Sequence, residues 1–229
     1  MERYARQIIL PEIGENGQRR LADAKVLIVG LGGLGSPASM YLAGAGVGHL
    51  GLCDPDTVSL SNLQRQILYS EDMTGESKAT AAQRRLFSLS SHTKFDVMPY
   101  RLTPDNAHAI ISRYDIVVDC SDNHATRYLI DDTCRQLGKP WIYGSIGAFD
   151  GYVSTFLPDG PGYGSLFADR EELEHMPPAS GGVIGALPGI IGSIEAAEAI
   201  KLICGFGDLL SSRLLTVNIK TMTFNTINL

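Results

Sequence analysis

The sequence predicts an α/β fold: a Rossmann-like, mostly parallel sheet flanked by helices, with an antiparallel extension in the C-terminal third. Three observations carry this expectation. Short apolar, β-branched runs alternate with segments of helical period as far as Tyr143. A G-x-G-x-x-G loop joins the first such run to the first helix. After Gly151 the alternation stops and strand-like runs dominate.

Each element has its own signal. Residues 25–30 (KVLIVG) are a buried strand ending in glycine. Ser36-Pro37 opens a helix, because proline in the first turn gives up an N–H that has no partner there anyway. Ala38, Leu42 and Ala45 follow at helical spacing. Residues 49–53 form a second strand closed by Asp54, and residues 77–89 a helix with Ala79, Ala82, Leu86 and Leu89 on one face. Phe95, Val97 and Pro99 alternate as a third strand does. Residues 115–119 (DIVVD) give a fourth, Leu129, Cys134 and Leu137 mark the next helix, and residues 140–143 give a fifth. Residues 152–156, 214–217 and 222–227 supply the antiparallel extension. Residues 160–182, rich in Gly and Pro, are expected to be a mobile crossover loop. In residues 189–203 only Glu195, Glu198 and Lys201 are charged. A helix so apolar all round is buried, in the core or at a subunit interface.

Composition narrows the function. In 229 residues, 19 Lys+Arg stand against 25 Asp+Glu, a formal charge of −6, and 44% of residues are hydrophobic. That suits one domain spanning residues 1–229. Without a basic cluster there is no footprint for nucleic acid. Two charge-free stretches, 26–53 and 176–194, are long enough for a bilayer, but their glycines and Pro37, Pro177, Pro178 and Pro188 free backbone groups that lipid cannot satisfy. No membrane association is expected. The charged start lacks the apolar core of a signal peptide. Cys53, Cys120, Cys134 and Cys204 form no Cys-x-x-Cys pair and are read as reduced core thiols. A cytoplasmic protein is expected.

Gly30, Gly32, Gly33 and Gly35 make the glycine loop, between a strand and a helix N-terminus. Such glycines let backbone N–H groups approach phosphate. Asp54 ends the next strand, where an acid meets ribose hydroxyls. This signature alone leaves a dinucleotide and an adenosine phosphate both open. Three features favour phosphoryl chemistry over hydride transfer. Arg65 and Asn62 lie in a polar loop just beyond Asp54, and an arginine can fork onto phosphate oxygens. Lys78 starts a helix, where a cation opposes the helix dipole unless an anion shares the site. Asp122, in Asp119-Cys120-Ser121-Asp122-Asn123 at a strand's carboxyl end, can hold Mg²⁺ together with phosphate oxygens, or cap the helix that follows.

Taken in order, Arg3-Tyr4-x-Arg6-Gln7, residues 30–35, Asp54-x-Asp56, Ser61-Asn62-Leu63-x-Arg65-Gln66, Lys78, Asp119-Cys120-x-Asp122-Asn123 and Leu187-Pro188-Gly189-Ile190-Ile191-Gly192-Ser193 form a series. The series resembles the bacterial sulfur-carrier adenylyltransferases of thiamine and molybdopterin synthesis, the ThiF/MoeB/HesA relatives of the ubiquitin-activating enzymes. The match runs from Arg3 to about Leu229. The resemblance implies ATP-dependent adenylation of the C-terminal Gly-Gly carboxylate of a small ubiquitin-like sulfur-carrier protein, with release of pyrophosphate. By the same resemblance the glycine loop holds the phosphates and Asp54 the ribose, with Asp56 and Asn123 in the same nucleotide-binding blocks. Asn62, Arg65, Gln66 and Lys78 line the triphosphate, Asp122 binds Mg²⁺, and Arg6 reaches the phosphates of a neighbouring subunit in a homodimer.

The sequence also departs from that family. Many relatives carry a zinc site of two Cys-x-x-Cys pairs, and the first pair falls here on Gly162 and Ser165. No zinc site is expected. Some relatives place a cysteine near Pro178, and none occurs in residues 169–182. The resemblance therefore implies adenylation without a covalent carrier–enzyme link, and a separate sulfur donor. Two other functions are weighed. A nicotinamide dehydrogenase explains the glycines and Asp54 but gives Arg6, Arg65, Lys78 and Asp122 no task. A relative that docks a ubiquitin-like protein without chemistry explains the missing cysteines.

Overall fold

The computed structural model describes residues 2–176 and 181–229. Pro177, Pro178, Ala179 and Ser180 lie outside the described residues, so the part of the expected 160–182 loop that falls on them is not described, nor is the position near Pro178.

The chain opens with α1 (Ala5–Ile8) and α2 (Gly14–Asp23), then runs β1 (Lys25–Val29), α3 (Gly35–Ala45), β2 (His49–Cys53), α4 (Lys78–Leu89), β3 (Lys94–Met98), α5 (Pro104–Ile111), β4 (Ile116–Asp119), α6 (His124–Leu137) and β5 (Trp141–Gly147). It continues with β6 (Asp150–Phe156), the short helices α7 (Tyr163–Leu166) and α8 (Arg170–Glu174), the long α9 (Ala186–Cys204), β7 (Arg213–Asn218) and β8 (Thr223–Asn228). All eight strands form one sheet in the order β3-β2-β1-β4-β5-β6-β7-β8. The first five are parallel, and β6, β7 and β8 each join antiparallel.

The parallel half is buried on both faces, as helical crossovers require. Alternate residues of β1 show it: Val26 and Ile28 pack among α3, α4 and α9, whereas Leu27 and Val29 face α5 and α6. Helix ends follow local chemistry. Ser77 caps α4, a Thr103–Asn106 capping box opens α5 with Pro104 at its first turn, and Gly46, Gly138 and Gly205 end α3, α6 and α9 in the left-handed region.

The largely apolar α9 lies in the core of its own chain, with Leu187, Ile191, Ala196 and Ala199 buried. Gly192 brings it against the Leu34 carbonyl, where a Cβ would have no room. The helices α2 and α5 had no expectation from the sequence. No helix among the described residues is long and apolar enough to cross a membrane.

Strand order turns outward in opposite directions from β1 and β4. The crevice beyond their carboxyl ends is where open α/β sheets bind ligands, and it carries both the glycine loop and the Asp122 turn.

Candidate functional site

The loop between β1 and α3 is folded so tightly that two of its glycines are obligatory. Gly30 has φ +91°, and a Cβ there would lie 2.5 Å from the Cys120 carbonyl oxygen. A Cβ on Gly35 would run into the Gly30 carbonyl. Gly32 and Gly33 are different. They meet only side chains, the Gln66 amide at 3.3 Å and the Pro188 ring at 3.0 Å. The N–H groups of Gly32, Gly33 and Leu34 have no acceptor among the described residues and stand at the N-terminus of α3. Free donors at a helix N-terminus suit an anion.

Asp54 holds this loop in shape. Its carboxylate accepts from Leu31 N–H at 2.6 Å and from Asp56 N–H at 2.8 Å. Burial raises its pKa, opposed by the Lys78 charge and those two hydrogen bonds. An ionised carboxylate has about four acceptor positions, so two remain for hydroxyls.

Lys78 is 5% exposed, and its ammonium meets the Asp56 carboxylate at 3.0 Å. The anion that accompanies this cation at a helix start is thus the chain's own. Lys78 N–H also donates to the Asp56 carbonyl, and the Tyr69 hydroxyl donates to the Leu31 carbonyl at 2.8 Å. Tyr69 ties the polar loop to the glycine loop, and nothing in the sequence pattern pointed to it.

The turn at residues 62–66 lies over the glycines. Gln66 and Arg65 both donate backbone N–H to the Asn62 carbonyl. Gln66 is buried, and its Oε1 has no partner among the described residues. The Arg65 guanidinium donates to the Ser61 carbonyl at 3.3 Å, and its stem lies 3.7 Å from the space beside Gly33. Burying an amide oxygen without a partner is costly, and a ligand donor such as a hydroxyl would supply one.

Across the crevice, Asn123 caps α6 by accepting from Thr126 N–H at 2.9 Å. Asp122 is therefore not the cap. It is exposed, and among the described residues it accepts only a long 3.3 Å bond from Asn123. Mg²⁺ takes one or two protein carboxylates and fills its shell with phosphate and water oxygens, and an exposed, lightly bonded carboxylate fits that demand. Among the described residues no group of three His, Cys, Asp or Glu side chains forms a metal cage.

Behind the turn, Asp119 is fully buried. Its pKa is pushed up to about 6 by burial, with Arg127 opposing at 3.6 Å. Arg127 donates to the Ser121 carbonyl at 2.9 Å and lies over the Tyr143 ring. Arg127 is a second residue that the motifs did not single out.

Gly30, Gly32, Gly33, Gly35, Asp54, Asp56, Asn62, Arg65, Gln66 and Lys78 thus share one crevice edge, with Asp122 and Asn123 in the turn that follows β4. Arg6 stands apart. The helix that carries it docks at the far end of α3, where Gln7 donates to the Ala45 carbonyl and the Tyr4 ring lies against Gly46. Eleven residues of α3 separate that end from the loop, about 16 Å. A cavity of about 550 Å³ at this same amino edge, bordered by Tyr4, Arg19, Lys25 and His92, is likewise remote from the crevice. All four cysteines are free and buried, and burial raises each thiol pKa, that of Cys53 to about 12.

Comparison with known proteins gives a consistent result. The profile of the ThiF family matches residues 4–229. The chain is 43% identical over 228 residues to the SAMP-activating enzyme E1 of Haloferax volcanii, covering 99% of this chain and 84% of that protein. It is 44% identical over 231 residues to the sulfur carrier protein adenylyltransferase of Thermus thermophilus, covering 98% and 85%. Identity to the adenylyltransferase and sulfurtransferase MOCS3 of Drosophila sechellia is 46% over 229 residues, but the chain spans only 51% of that protein. Among solved structures, that of E. coli MccB with ATP superposes with a TM-score of 0.85 at 23% identity, over 100% of this chain and 71% of that one, a likeness of fold.

Proposed function

The chain belongs to the ThiF family, and from that premise we propose that it is a sulfur-carrier protein adenylyltransferase. It uses ATP to adenylate the C-terminal Gly-Gly carboxylate of a small ubiquitin-like carrier and releases pyrophosphate. The observation that carries the reading is the crevice itself. Among the described residues three amides at a helix N-terminus have no acceptor, the Gln66 side chain and the Arg65 stem border them, and the same crevice holds Lys78, paired with Asp56, and the exposed Asp122 carboxylate. The names of the Thermus and Haloferax relatives support the same reaction class.

In this reading the free amides and Arg65 take phosphate oxygens, and Asp54 takes the ribose through its remaining acceptor positions. Asn62, Gln66 and Lys78 line the triphosphate, with Asp56 orienting Lys78 and Asn123 holding the turn that presents Asp122. Mg²⁺, when bound, neutralises phosphate charge beside Asp122. Positioning and charge neutralisation are the main demands when a carboxylate attacks an α-phosphate, and these residues meet them without a nucleophile of their own. The buried, high-pKa cysteines accord with a separate sulfur donor.

Arg6 is placed in the reading as a residue given by the second subunit of a homodimer. Its remoteness from the crevice of its own chain supports this, as do the exposed apolar side chains of Ile9, Leu10 and Tyr41. In this reading residues 160–176 of the expected crossover lie beside the path of the incoming tail. A soluble, cytoplasmic setting belongs to the same reading.

The test is carrier-dependent ATP–pyrophosphate exchange with a panel of Gly-Gly-tailed proteins in Mg²⁺. One carrier is expected to support exchange, and Asp122→Ala to lower it by about 10²-fold or more, the scale for removing an electrostatic stabiliser. Tight ATP binding without exchange for any carrier would instead favour a docking module.

A further inference from the structure

We propose that His124 and Tyr163 are positioning residues: their contact ties the segment 163–174 to the Asp122–Asn123 turn, so that docking of the segment sets the turn's geometry. The inference rests on the reading of Asp122 given above and extends it to residues that the reading leaves without a role.

One face of α6 carries the polar side of the attachment, and β5 adds ring contacts from Tyr143 and Trp141 to Tyr163 at 5.4 and 6.2 Å. His124, Tyr128 and Asp131 fall at positions i, i+4 and i+7, which share a helix face. His124 Nδ1 is 2.8 Å from the Tyr163 hydroxyl, and its ring meets Phe167 edge-on at 5.3 Å. The Tyr128 hydroxyl donates to the Phe167 carbonyl at 2.6 Å. Asp131 accepts from Tyr163 N–H at 3.0 Å and from the Trp141 indole at 3.0 Å. Arg170 of α8 pairs with Asp132 at 2.8 Å and lies over the Tyr128 ring at 4.9 Å. Two short helices of four and five residues are thereby held on one longer helix.

Position in that series distinguishes His124. The other anchors lie one and two turns along α6, away from the crevice. His124 is the first residue of the helix, next to the cap Asn123 and two residues from Asp122. A pull on Tyr163 therefore acts on the turn that presents the carboxylate. A contact at a helix terminus shifts that turn more readily than one at mid-helix, because only the terminal turn lacks bonding on both sides.

The variants His124→Phe and Tyr163→Phe keep a ring in each place and remove the polar contact. His124→Gln keeps a group that can bond the hydroxyl. Calorimetric ATP binding is measured in EDTA and in Mg²⁺, and amide hydrogen exchange is followed over residues 163–174. Both phenylalanine variants are expected to weaken Mg·ATP roughly three- to tenfold, the worth of one neutral hydrogen bond, while leaving metal-free ATP unchanged. They should also speed amide exchange in the segment. The double variant should equal Tyr163→Phe alone, because His124 has no further hydroxyl to meet once that one is gone, whereas the Tyr163 hydroxyl also meets Arg127; His124→Gln should restore both readouts. Faster exchange with unchanged Mg·ATP binding would overturn the proposal, as would equal weakening in EDTA and in Mg²⁺. A wild-type protein that binds no ATP would overturn the reading of the crevice itself, and that result is distinct because it appears without any substitution.

Discussion

Glu195 and Glu198 stand three residues apart on α9, both buried, and have opposite fates. Glu198 accepts from the Thr155 hydroxyl at 2.6 Å and Leu210 N–H at 2.7 Å, and it is paired with Lys201. Glu195 has the Cys120 thiol at 3.8 Å as its contact, beneath Gly144, where the carboxyl occupies the space of an absent Cβ. Burial, reinforced by the Asp119 charge, raises the Glu195 pKa well above the ordinary value of 4.5. The folded state then holds more protons than the unfolded one above that pH. Stability falls as pH rises from 4.5, by up to ~1.4 kcal/mol per pH unit for one proton. Asp119 adds the same sign between 3.8 and about 6. Glu195→Gln, which keeps the shape and removes the ionisation, is expected to be more stable than the parent, by a margin that widens from pH 5 to pH 8. Urea denaturation at several pH values measures it, and a constant margin would show that Glu195 does not ionise differently on folding.

At the scale of the element, α3 and its loop separate two uses of glycine. Gly35 is required by backbone contact, and Gly44 in the same helix has open space around its Cβ position. Gly32 meets only the movable tip of Gln66. Gly35→Ala should therefore disrupt the loop and lower stability by several kcal/mol, as strained core substitutions do. Gly44→Ala should raise stability by about 0.5–1 kcal/mol, the difference in helix propensity. Gly32→Ala is expected to fold with a melting temperature close to the parent's and to bind ATP at least about tenfold more weakly, because a methyl at a phosphate cradle blocks backbone approach. Undiminished ATP binding by folded Gly32→Ala would mean that this glycine serves packing and not phosphate.

For the molecule as a whole, the two ends of α3 pose the question of assembly. The crevice is at one end and the Arg6 helix at the other. Mixing Arg6→Ala with Asp122→Ala protein under subunit exchange decides it. If Arg6 acts across a two-fold interface, each heterodimer regains one intact site, and about a quarter of wild-type exchange activity returns at equal mixing. If Arg6 acts within its own chain, every site keeps a lesion and no activity returns.

Much of this was legible in the chain itself. The strands of the parallel half, their order along the sequence and the glycine loop follow from local pattern, because two-sided burial imposes continuous apolar runs and a strand-to-helix turn of this kind demands glycine at Gly30 and Gly35. The elements α2 and α5 were not legible, since each is short and its buried face is completed by residues distant in sequence. Nor could spacing show that Lys78 pairs with Asp56, that Tyr69 and Arg127 brace the loops, that Asn123 and not Asp122 caps α6, or that Arg6 lies far from the crevice. Local sequence determines which backbone conformations are open. Which charge meets which, and how deeply each is buried, depends on contacts between distant segments, and only the tertiary structure decides them.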